Sequence, residues 1–173
     1  MRKFFIAAAL FSALSAQAAL QVGAPAPTFT TDAAVGGQAF KFDLKAELKK
    51  GPVVLYFYPK AFTSGCTLEA HQFAEASDKF KALGATVIGI SNDNIDTLKK
   101  FSVEACRNKF AVAADEGAKM IKAYDVSLLM KADMADRISF LIGQDGKIAA
   151  VHSAMDPNGH VDAMLKAVAA LKK

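Results

Sequence analysis

"PVVLYFYPKAFTSGCTLEAHQFAEASDKFKALGATVIGIS", Pro52 to Ser91, packs a strand, a helix and a second strand into forty residues. Val53 to Tyr58 is a continuous apolar, β-rich run, the pattern of a strand buried on both faces. From Thr67 to Leu83, the residues Phe73, Ala76, Phe80 and Leu83 recur at helical spacing, and Gly84 supplies a C-cap. "ATVIGIS" reads as another buried strand. A strand, a crossover helix and a strand in that order form the repeating unit of a parallel sheet.

The alternation continues on both sides. "APAPTFTTDAAVGGQAFKF" (24–42) alternates apolar residues around Gly36-Gly37, which predicts an N-terminal hairpin. "NIDTLKKFSVEACRN" (94–108) reads as a helix with Leu98, Phe101 and Ala105 inward, "FAVAAD" (110–115) as a short strand and "EGAKMIKAYDV" (116–126) as a short helix. "RISFLIGQDGKIAAVHS" (137–153) predicts two strands around a Gln-Asp-Gly turn, antiparallel at one side of the sheet. "GHVDAMLKAVAALKK" (159–173) closes the chain as an amphipathic helix with Val161, Met164, Leu165, Val168 and Leu171 facing inward. The expected fold is an α/β domain: a central mixed, mostly parallel sheet flanked by helices, with an N-terminal β-hairpin extension.

The chain has 173 residues, 53% hydrophobic and 22% charged, a globular balance with room for one domain and a sizeable core. Its first eighteen residues differ from the rest. "MRKFFIAAALFSALSAQA" has a basic start (Arg2, Lys3), an apolar run from Phe4 to Leu14 and a small-x-small site at Ala16-Gln17-Ala18, the layout of a signal peptide cleaved after Ala18. The apolar run is too short to cross about 30 Å of hydrocarbon. Residues 19–173 are thus expected as one domain in the periplasm or secreted, where disulfides persist. Removing Arg2 and Lys3 leaves 19 basic and 17 acidic residues, a net charge of +2. No basic stripe with interleaved aromatics is present, which argues against nucleic acid as a partner.

Chemistry concentrates at Cys66. If the helix begins near Thr67, this thiol lies in its first turn, where unpaired N–H groups and the helix dipole favour a thiolate. Gly65 lets the turn fold tightly, Pro59 fixes the strand exit without adding an N–H, and Thr63 can direct its hydroxyl at whatever the sulfur meets. A fast thiol enzyme must also align its electrophile and stabilise the departing charge, so a guanidinium from elsewhere is expected. The other cysteine, Cys106, is forty positions away. Two cysteines at that separation exclude a CxxC redox pair and a four-ligand zinc site, and allow one disulfide. His71, His152 and His160 show no ligand spacing.

Pro59-x-x-x-Thr63-x-x-Cys66 fits the signature of the peroxiredoxins, thiol peroxidases with a thioredoxin-like fold. With "VVLYFYPKAFTSGCTLEAHQF", "ATVIGISNDN", "AAD" and "RISFLIGQDGKI" in order, the mature chain resembles their bacterioferritin-comigratory (Q-type) subgroup. The resemblance implies Cys66 as peroxidatic cysteine, Thr63 as peroxide-orienting residue, Pro59 as shield and Arg137, which opens the late strand, as the guanidinium. Glu69 matches a glutamate usual in the subgroup, read as support for the site or simply as a residue suited to a helix start. It further implies a hydroperoxide substrate, a sulfenic acid on Cys66, reduction by an outside dithiol such as a thioredoxin-like protein, a monomer, and no cofactor or metal. Two positions depart from the pattern: Ser64 replaces a frequent proline, and His71 stands where many members carry a resolving cysteine. Some members place a resolving cysteine in the following helix, so the resemblance implies that Cys106 resolves Cys66 as an intramolecular disulfide, through partial unwinding, since helix-borne thiols rarely start within the Cα separation of about 4.4–6.8 Å that a disulfide needs.

Other readings remain open. A one-cysteine peroxidase or a thiol peroxide sensor needs only Cys66; a thioredoxin-like disulfide oxidoreductase wants a nearer second thiol. Leu128, Leu129, Met130 and Met134 read as core filler, or as an apolar wall beside the peroxide pocket or a dimer patch.

Overall fold

The computed structural model describes residues 19–171; the expected signal peptide lies outside them. Strand β3 (Val53–Phe57) is buried at every position, as its unbroken apolar run requires. Alternate residues serve opposite faces: Val54, Tyr56 and Tyr58 join one core cluster, and Val53, Leu55 and Phe57 the other. β3 pairs in parallel with β4 (Thr86–Ser91), which pairs in parallel with β5 (Ala111–Ala114). The crossovers are α2 (Ser64–Ala82) and α3 (Ile95–Glu104).

Hairpins flank this centre. At one edge β1 (Thr30–Val35) and β2 (Gln38–Asp43) turn at Gly36-Gly37, both with positive φ, and β1 pairs antiparallel with β5. At the other, β8 (Ile138–Ile142) pairs antiparallel with β3 and with β9 (Ile148–Ser153). The seven-stranded order is β2-β1-β5-β4-β3-β8-β9. The sheet is mixed as expected, but its parallel part is confined to β3, β4 and β5. Only those strands are joined by helices long enough for a crossover, while the hairpin turns impose antiparallel pairing.

One face of the sheet carries α2, α3 and the closing helix α5 (His160–Ala170); the other carries α1 (Leu44–Leu48) and α4 (Lys119–Ala123). On the first face Tyr56 stacks on Phe73 at 4.4 Å, and Tyr58 on Phe101 at 5.6 Å. Such pairs each contribute about 0.5–1.5 kcal/mol beyond their buried area. Gly89 of β4 makes room for this stack, because a Cβ there would lie 2.7 Å from Tyr56 Cζ.

Two expectations about packing fail. Leu129 and Met130 are 96% and 88% exposed, at the tip of a small hairpin between β6 (Ser127–Leu128) and β7 (Lys131–Ala135), not in the core. Leu171 lies past the last turn of α5 and is exposed, whereas Met164 and Val168 are buried as expected.

Candidate active site

The site forms where three strand ends meet. β8 runs antiparallel to β3 with Phe57 opposite Ile138, so Arg137 stands beside the exit of β3, where the chain turns into α2. β9 brings Ala154 and Met155 alongside, with the Ala154 N–H bonded to the Arg137 carbonyl at 3.3 Å. After β4, Asp93 accepts the Ala61 N–H at 2.8 Å and the Ser91 hydroxyl at 2.8 Å, pinning the loop from Pro59 to Thr63. Phe62 in that loop takes φ +65 and rests edge-on against Phe101.

Helix α2 starts three residues earlier than expected, at Ser64 with Thr63 as N-cap, so Cys66 is its third residue. Cys66 is 1% exposed. Arg137 donates from Nη2 to Cys66 Sγ at 3.4 Å, from Nη1 to Glu69 Oε2 and from Nε to the Met155 carbonyl at 3.0 Å. Gly65 serves this clamp rather than a tight turn. It has no positive φ, and a Cβ there would sit 3.1 Å from Arg137 Nη2.

Glu69 is fully buried six residues into the helix, so its role is not that of a charge at the helix start. Burial pushes its carboxyl up to about 7 against the opposing pull of Arg137. Burial works against the Arg137 charge, but Glu69 and Cys66 outweigh it and hold the guanidinium above its ordinary value.

The chain of contacts extends to residues that the sequence did not single out for the site. His160 is a buried, hydrogen-bonded histidine: Nε2 lies 2.9 Å from the Ala154 carbonyl and Nδ1 2.8 Å from the Ser139 hydroxyl. A carbonyl only accepts, so the proton sits on Nε2 and Nδ1 accepts from Ser139. Burial above all lowers this imidazole to about 4, leaving it neutral. Its 3.6 Å approach to Glu69 Oε1 is therefore no ion pair. The available signal was periodicity, for His160, Met164 and Val168 share the inward face of α5.

Thr63 and Pro59 lie on the loop as expected, with the exposed Thr63 hydroxyl donating to the Lys60 carbonyl at 2.9 Å. Cys106 is a free, fully buried thiol just beyond α3 rather than within it. Its N–H still bonds the Phe101 carbonyl at 3.1 Å, and burial pushes its pKa up. Both thiols belong to the core cluster on the α2 face. Among the described residues no group of three or more His, Cys, Asp or Glu side chains is placed to hold a metal ion.

Residues 22–151 match the model of the AhpC/TSA family. The chain belongs to that family. It is 34% identical over 151 residues to peroxiredoxin Bcp of Escherichia coli (strain K12), covering 84% of this chain and 94% of the relative. It is 34% identical over 128 residues to the chloroplastic peroxiredoxin Q of Sedum lineare, covering 73% of this chain and 68% of that protein. The crystal structure of peroxidoxin BcpB from Mycobacterium tuberculosis superposes with a TM-score of 0.79 at 30% identity, covering 89% of this chain and 99% of that one. The chain is thus a peroxiredoxin of the Q/Bcp kind, a thiol-dependent peroxidase. In this peroxiredoxin the hydrogen-bonded groups gather at Cys66.

Proposed function

We propose that Cys66 is the peroxidatic thiol, that Arg137 and Thr63 hold the hydroperoxide, and that Cys106 resolves the oxidised sulfur. The observation that carries this reading is the guanidinium nitrogen 3.4 Å from a buried sulfur in the first turn of α2. A cation and a helix start both favour negative charge on the sulfur. The thiolate attacks the terminal oxygen of ROOH; an S–O bond forms as the O–O bond breaks, and the departing RO⁻ takes up a proton. Sulfur is oxidised to sulfenic acid and the peroxide is reduced to alcohol or water. Arg137 donates toward the oxygens as charge develops, and Thr63 releases Lys60 to do the same. Pro59 adds no N–H to compete at the loop.

In the resolving step the Cys106 thiol attacks Cys66–SOH, giving a disulfide and water, and an outside dithiol then supplies two electrons and two protons. Cys106 as it stands is buried and held protonated. The first turn of α2 and the segment after α3 must therefore open. The same observation favours a second reading, in which an outside thiol meets the sulfenic acid directly in a one-cysteine cycle.

Mixing with hydrogen peroxide in a stopped-flow instrument should show rapid loss of the Cys66 thiol, abolished in Cys66→Ser, followed by loss of the second thiol as Cys106 resolves it. Peptide mapping of the oxidised protein should yield a Cys66–Cys106 cross-link. A normal rate without that cross-link selects the one-cysteine cycle, and a normal rate in Cys66→Ser rejects the proposal. Cleavage of residues 1–18 and export, with a thioredoxin-like reductant outside the cytosol, complete the reading; cell fractionation with N-terminal sequencing tests it.

A further inference from the structure

The Glu69 carboxylate uses only one of its oxygens on Arg137. Oε1 is buried without a hydrogen bond among the described residues, and the nearby Nδ1 of His160, 3.6 Å away, bears a lone pair. We propose that His160 is a positioning residue of this site, offering that lone pair to a proton on Glu69 Oε1 whenever Cys66 takes the negative charge that Arg137 neutralises. The inference rests on the peroxidase reading of Cys66.

Charge balance supplies the reason. Cys66 and Glu69 share no hydrogen bond; both lean on one buried guanidinium. Thiol with carboxylate and thiolate with carboxylic acid carry the same net charge beside Arg137. Breaking the S–H bond and forming an O–H bond on Glu69, each through exchange with solvent, ionises the sulfur without adding a buried charge. Nothing is oxidised. The new O–H needs an acceptor, because an unpaired buried donor costs about 1–3 kcal/mol. His160 is suited to the task because its Nε2 proton is committed to Ala154, which fixes the lone pair on Nδ1. Ser139 competes for that lone pair at 2.8 Å and so tunes it. A carboxyl that titrates near neutrality, at about 7, agrees with such an exchange. The other groups facing the pair are Tyr56 from β3, His152 from β9 and Asp156 from the loop after it. Hydrogen bonds from Asn158 hold the Asp156 carboxyl below its ordinary value and burial keeps the Tyr56 phenol neutral, so neither offers a proton site at neutral pH.

The test begins without peroxide. The Glu69 carboxyl is titrated by carbon-13 NMR in the wild type, His160→Gln, His160→Asn and Ser139→Ala. Gln keeps a donor for Ala154 but loses the Nδ1 acceptor, so the midpoint should fall by about one pH unit. Asn places an amide oxygen near the Nδ1 position and should restore it. Ser139→Ala frees the lone pair and should raise it. The rising limb of Cys66 oxidation with pH should move the opposite way, because a Glu69 that holds the proton less well leaves it on the sulfur. An unmoved Glu69 midpoint in His160→Gln overturns the proposal, as does a profile that drops in height at a fixed midpoint. If His160→Gln does not fold, an unmoved midpoint in Ser139→Ala overturns it equally. Shifted midpoints in a protein inert to peroxide would sink the peroxidase reading instead.

Discussion

Arg137 is held by three different acceptors, and that geometry makes it irreplaceable by lysine. A lysine has one point of charge where the guanidinium has a planar fork. Arg137→Lys should slow Cys66 oxidation by about 10²–10³-fold, the loss typical for one oriented donor at a developing charge, measured by stopped-flow. Glu69 and His160 set opposing pH dependences. The Glu69 carboxyl keeps its proton up to about 7 in the fold against an ordinary 4.5, so its contribution favours the folded state at low pH and is lost as pH rises between those values. His160 is held at about 4 against an ordinary 6.5, so its contribution to stability grows as pH rises between those values. Urea titrations from pH about 4 to 8 should therefore show a slope with pH that is more positive than wild type in Glu69→Gln, where the histidine limb of this pair remains, and more negative in His160→Gln. Parallel profiles for the two variants would contradict this assignment.

At the scale of elements, α2 joins the chemistry to the core. Its buried stripe runs from Cys66 through Glu69 and Phe73 to Phe80. The sequence pattern offered Glu69 only as support for the site or a helix-start charge, and Arg137 came to the site through the family resemblance alone. Arg137 and His160 follow Glu69 by 68 and 91 positions (137 − 69 and 160 − 69), and only the register of β3, β8 and β9 brings them together. Spacing shows which face a residue occupies, not what lies opposite. Two glycines make the point testable. Gly65→Ala suits a helix start but pushes on Arg137; stability should change by less than about 1 kcal/mol while peroxide reactivity falls by about 10–100-fold. Gly89→Ala meets the Tyr56 ring instead and should cost about 1–3 kcal/mol by overpacking, read by chemical denaturation.

For the whole molecule, element order was legible because the strands are continuous apolar runs and the helices carry period-3.6 stripes. The short α1 and the β6–β7 hairpin were not, since neither carries a run long enough for a period to show. For Leu129 and Met130 the core-filler reading took hydrophobicity for burial, though apolar atoms make up much of any protein surface; the reading as an apolar patch is untouched by their exposure. Leu129→Ser with Met130→Ser should leave the melting temperature essentially unchanged, within about 0.5 kcal/mol of wild-type stability; a large drop would place the tip against something that covers it. The separation of Cys66 from Glu69 by one helical turn has a mechanical consequence. Peeling back the first turn carries the sulfur away and leaves the Glu69–Arg137 latch fastened to the body of the molecule. If the sulfur leaves to meet Cys106 as proposed, it would return to a receptor that never came apart, so on the α2 side resetting would amount to rewinding a single turn.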